Sequence, residues 1–196
     1  MFTRNARAAG WIAIAVSIGA IASLPDAVAT TRAGAPLPDA PQVVVVDAPP
    51  AATELAAWAV DRFEAAGLEL PPTEMHFHDD TEGCRGFLGY AQSGRVDLCV
   101  RLEMEAGPQR LVLHELAHVW ESATLDEACR ERFLHLRGLG AWAGEDVEWK
   151  QRGIEQLAEI VAWGLADGAM APMIDGDRDP QALSEAFDLV RGGCGV

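Results

Sequence analysis

Residues 114–118 read His-Glu-Leu-Ala-His and lie between Leu111-Val112-Leu113 and Val119-Trp120. Side chains four apart stack on one face of a helix, with Cβ atoms roughly 5–6 Å apart, a separation that lets two imidazoles grip one zinc ion. Glu115 then lies beside the metal, where it can act as general base toward a zinc-bound water. The apolar flanks make this a buried helix, so the chain must build a core around its own motif. The rival explanation is a chance match on a core helix. The remaining residues therefore have to supply what two histidines lack.

The start of the chain reads as a secretory leader. Arg4 and Arg7 give a basic beginning, Trp11 to Leu24 is an apolar stretch too short to span a bilayer comfortably, and Ala27-Val28-Ala29 is a small-residue cleavage site. The expectation is a signal peptide over 1–29, cleavage after Ala29 and a secreted product. An uncleaved anchor is disfavoured, because no apolar extension follows Pro25-Asp26. The 167 residues left are enough for one domain. Residues 30–42, with Pro36, Pro38 and Pro41, read as a flexible mature N-terminus ahead of a domain over 43–196. The net charge of −15 becomes −16 once Arg4, Arg7 and Asp26 leave with the leader. Such acidity argues against nucleic acid or an anionic membrane as partner. A monomer without stable membrane insertion is expected.

Four cysteines in an exported chain read as two disulfides, and no C-x-x-C pair suggests a structural zinc. Of three possible pairings, Cys84–Cys99 is favoured because the two flank a hairpin, which leaves Cys129–Cys194. The hairpin is read as strands over 85–91 and 95–101 around Gln92-Ser93-Gly94. Before it, Val43 to Val46 and Met75 to His78 read as strands made parallel by a helix from about Thr53 to Ala66, with Leu55, Trp58, Ala59 and Phe63 on one face. The second half reads as helices: about 108–122, a second opened by a Thr124-Leu125-Asp126-Glu127 capping box, a third over 153–166, and a last from Asp179-Pro180 to Gly192.

A catalytic zinc needs a third protein ligand and a position open to water. The metzincin pattern would place a glycine at 121 and a histidine at 124, but the chain has Glu121 and Thr124. The helix over 153–166 offers an alternative. Glu155 and Glu159 share a face of an otherwise apolar helix, and charges in such a surface need partners or a metal. Glu155 is read as the third ligand, and Glu159, one turn on, as the acceptor for the free N–H of a ligand histidine. Asp126 and Glu127 are alternative acids that the capping box accounts for without a metal.

His114-Glu115-x-x-His118 followed by Glu155-x-x-x-Glu159 resembles the gluzincin group of zinc metallopeptidases. Thermolysin carries Glu-x-x-x-Asp as its second motif and anthrax lethal factor Glu-x-x-Ala-Glu. Here Glu155-Gln156-Leu157-Ala158-Glu159 is closer to the latter. The resemblance covers residues 108–166. It implies an α+β, zincin-like fold with a small mixed sheet, an active-site helix and a glutamate-bearing helix. It also implies one catalytic zinc, hydrolysis of a peptide or protein substrate, and a substrate strand laid along the sheet edge just before the motif helix, here 95–101.

One departure concerns the group that stabilises the oxyanion. The lethal-factor-like pattern puts a tyrosine seven residues before the ligand glutamate, where this chain has Glu148, which cannot donate a hydrogen bond when ionised. Tyr90, the only tyrosine, together with His135, Arg137 and Arg152, are the candidate substitutes. Elsewhere, His76 and His78 with Asp79 and Asp80, and the run Asp175, Asp177, Asp179, could bind a second metal or calcium, but read better as a solvated face and a turn. Trp120, Trp142, Trp149 and Trp163 read as core, with Trp142 and Trp149 placed to wall a specificity pocket. The expected function is a secreted zinc metallopeptidase. The alternatives are a zinc amidase acting on cell-wall peptides, and a weak or inactive zincin-like domain that binds a partner through its cleft.

Overall fold

A computed structural model describes residues 42–99 and 107–194. The expected leader, and all of the 30–42 tail except Gln42, lie outside these residues. So does the end of the strand expected to reach Arg101.

Strand β1 (Val43–Val46) leads into helix α1 (Pro50–Ala65), which returns the chain to β2 (Thr73–Phe77). A helical crossover makes the two strands parallel, with Val45 opposite Met75. Pro50 does not keep the helix away. It occupies the first turn, where a missing N–H costs nothing, so α1 begins three residues earlier than expected. Its buried face is Ala52, Ala56, Ala59 and Phe63, while Leu55 and Trp58 lie half-exposed at its margin.

The hairpin consists of β3 (Gly89–Gln92) and β4 (Arg95–Leu98), antiparallel, with Gln92 opposite Arg95. Gly94, at φ +72°, takes the left-handed turn position that a side chain resists. Residues 81–88, expected in part as strand, form a turn-rich loop pinned by the Cys84–Cys99 disulfide. The sheet order is β1-β2-β4-β3. This corrects the expected geometry: β4 is an interior strand paired on both sides, and the edge beside the motif helix is β3.

Helix α2 (Gly107–Thr124) carries the histidine motif. It packs on β3 and β4 on one side and on α4 (Gly153–Leu165) on another, which explains why it is apolar nearly all round. Between them runs α3 (Glu127–Arg137). The capping box does not form. Thr124 still belongs to α2, and Asp126 caps α3 by accepting the Cys129 N–H at 2.8 Å. A 3-10 turn (Trp149–Gln151) precedes α4, and α5 (Pro180–Arg191), capped by Asp179, closes the domain. Cys129 of α3 is bonded to Cys194 just after α5. Met75, Val96 and Leu98 join Phe63, Leu113, Leu116, Leu157 and Ile160 in one core. The result is mixed α+β, with a four-stranded sheet and five α-helices among the described residues.

Candidate metal centre

The α2–α4 packing brings Glu155 to two histidines 41 and 37 residues earlier in sequence. Nε2 of His114 and Nε2 of His118 are 3.1 Å apart, and Glu155 Oε2 from the first turn of α4 lies 3.3 Å from each. The imidazole planes are nearly perpendicular, at 89°. Three atoms so spaced lie on a circle of radius about 1.9 Å, just under the ~2.0–2.1 Å bonds of zinc to nitrogen and oxygen, so one cation can touch all three from slightly off their plane. Two imidazoles and a carboxylate are an ordinary zinc donor set with a position left over. Among the described residues, this is the one group of three or more His, Cys, Asp or Glu side chains spaced to hold a metal ion.

The electrostatics follow from burial. His114 is buried, which disfavours its charged form, but the adjacent carboxylates of Glu155 and Glu159 outweigh this and hold its pKa up to about 9. Burial likewise pushes Glu155 up, and the two imidazoles more than reverse it, to about 2. In the metal-free molecule a proton thus occupies the place a cation would take. Glu115 is dominated by burial, which raises its pKa against the pull of His114 and His118. A carboxylate shifted that way is readier to accept a proton.

Glu115 also fixes where the sheet can lie. A Cβ on Gly89 would run into the Glu115 carboxylate, so a side chain there would force Glu115 to shift. The sheet edge and the prospective general base are in contact.

Glu159 is only 1 % exposed. Its Oε1 accepts from Arg110 Nη1 and lies 3.1 Å from His114 Nδ1, off line for a hydrogen bond; its Oε2 accepts the Met173 N–H at 2.8 Å. Burial pushes its pKa up, and His114, the Met173 N–H and Arg110 together bring it below the usual carboxylate range. Trp149 stacks on His114, with ring centroids 5.9 Å apart and planes 26° apart. Gln156 holds that aromatic wall in place from α4, donating to the carbonyls of Lys150 and Asp175. Sequence reasoning missed Arg110 altogether. Its signal was an arginine one helical turn before His114 on the same face.

None of the candidate oxyanion donors joins this group. Strand alternation puts Tyr90 on the opposite face of the sheet from Gly89 and Glu115, and Arg85 stacks over its ring at 4.2 Å. His135 is exposed on α3, Arg152 donates to the Val147 carbonyl, and Arg137 donates to Gln156 and the Asp177 carbonyl. Asp126 is committed to its cap and Glu127 is exposed. His78 bonds Asp97 at 2.7 Å on the outer sheet face, and Asp177 and Asp179 cap backbone N–H groups of their own turn. Comparison of the chain with protein-family models, curated proteins and solved structures found no match.

Proposed function

We propose that this chain is a secreted, zinc-dependent metallopeptidase with a zincin-like fold. The observation that carries the reading is the convergence of His114, His118 and Glu155 beside a buried Glu115 that touches the sheet edge. His114, His118 and Glu155 would hold the ion. Zinc bound there would polarise a scissile carbonyl and acidify a water. Glu115 takes the proton from the attacking water and hands it to the leaving amine nitrogen. Among the described strands β3 pairs only with β4, so its outer edge offers free N–H and C=O groups to an extended peptide, whose backbone would then run past Glu115. Secretion accords with two disulfides, and no helix of the described residues is long and apolar enough to cross a membrane.

The second reading is a zincin-like domain that binds a partner without cleaving it. It is favoured by the engagement of Tyr90, Arg137 and Arg152 elsewhere, since a missing oxyanion donor costs a peptidase ~10²–10³ in rate. Metal analysis of the purified protein, with casein and peptidoglycan-peptide assays of wild type and Glu115→Gln, separates the two. The peptidase reading requires one zinc in both proteins and turnover only in wild type. Equal inertness of both, with zinc retained, transfers the assignment to partner binding. Cleavage of cell-wall peptides alone would narrow the substrate to that class.

A further inference from the structure

We propose that Arg110 is a positioning residue that sets the charge felt by a cation at the centre, by competing with His114 for one oxygen of Glu159. The inference rests on the cation reading above and concerns how tightly the ion is held. Glu159 has two oxygens and both are claimed. Oε2 is taken by the Met173 N–H, while Oε1 accepts from Arg110 and is left off line to His114 Nδ1. His114 Nδ1 is buried and has no other hydrogen-bond partner among the described residues. A carboxylate squarely on the far nitrogen of a ligand imidazole makes that imidazole a stronger ligand. An arginine on the same oxygen draws this effect away.

Charge balance points the same way. Glu115, Glu155 and Glu159 bring three carboxylates to the centre, and Arg110 with a divalent cation would match them. Glu121 and Arg130, one turn beyond His118, form a separate pair at 3.4 Å. Removing Arg110 would leave the occupied cluster one charge negative and free Glu159 to align with His114. Both changes favour a bound cation. They would also supply it with more electron density, making it a weaker Lewis acid. Arg110 therefore weakens binding and keeps the ion electrophilic.

The sign of one measurement decides the matter. Zinc affinity is measured at fixed pH and ionic strength by competition with a chelator, for wild type, Arg110→Met, Arg110→Gln, Arg110→Lys, Glu159→Gln and the Arg110→Met/Glu159→Gln double variant. The expected result is zinc held about tenfold tighter by Arg110→Met and Arg110→Gln, near wild type by Arg110→Lys, and at least about tenfold weaker by Glu159→Gln. The double variant should match Glu159→Gln, because Arg110 acts through that carboxylate. If Arg110 had only a structural role, its removal would lower the melting temperature and loosen zinc. Arg110→Gln removes the charge while keeping a polar side chain, so it carries the test if Arg110→Met does not fold. Unchanged or weaker zinc binding by the charge-removing variants overturns the inference while leaving the metal centre standing. A wild type that holds no zinc overturns both.

Discussion

Two clusters in this molecule combine histidine, carboxylate and arginine, and they end in opposite states. On the outer face of the sheet, Asp97 accepts from His78 Nε2 and from both Arg95 Nε and Arg95 Nη2, each at 2.7 Å. Every strong group there has a partner along a direct bond, and nothing is left to point at a common centre. Between α2 and α4, by contrast, the side-chain donor atoms of His114, His118 and Glu155 face one another across 3.1–3.3 Å, and carboxylates outnumber the one arginine. The residue types hardly differ. Closure by pairing yields structure, whereas convergence with a charge deficit yields a place for a cation.

The sharpest way to break this comparison is to remove one member from each cluster. His118→Ala or Glu155→Gln should abolish stoichiometric zinc binding, a loss on the order of 10³-fold or more, whereas His78→Ala should keep one zinc per chain. Metal content after gel filtration measures both. Zinc lost equally from His78→Ala would mean that the two clusters are not distinct.

Titration tests the charge deficit. His114 must release its proton to bind a metal, so apparent zinc affinity should fall about tenfold per pH unit below the pKa of about 9. Stability of the metal-free protein should move the other way. The folded value lies above the unfolded value of about 6.5, so this contribution is full below about 6.5 and is lost as pH rises through about 9, a change on the order of a few kcal/mol. Melting curves of the metal-free protein from pH 6 to 10 should show the decline, and saturating zinc should remove it. A flat metal-free profile would contradict the ion pairing drawn here.

The smallest effect belongs to the closed cluster. Hydrogen bonding by Arg95 outweighs burial and, with His78, holds the Asp97 carboxyl below the usual range. Its stabilisation is present above the unfolded value of about 4 and disappears as pH falls through the lower folded one. Asp97→Asn should cost about 1–3 kcal/mol in denaturant unfolding and leave zinc affinity unchanged, since half-exposed Arg95 can turn to water. An equally large cost at a pH low enough to protonate native Asp97 would refute the assignment.

Local spacing carried much of the centre into the sequence. His114 and His118 had to share a helix face, and Glu155 and Glu159 stood out as charges on an apolar helix. The disulfide pairs followed from a hairpin and elimination. The sheet edge was misread because strand order is not a local property: the chain enters β3 before β4, yet β4 slots beside β2 and leaves β3 outside. The capping box failed for a related reason. Packing continued α2 through Thr124, so Asp126 became the cap.

The sequence by itself determined which donors exist and which of them ride one helical face, because backbone periodicity acts over a few residues. Only the tertiary structure decided that Glu155 Oε2 meets both imidazoles, that Arg110 and Met173 divide Glu159 between them, and that Trp149 roofs His114. The longest of those contacts spans 49 residues, from Arg110 to Glu159. They depend on how whole helices settle against a shared core, which no local pattern encodes.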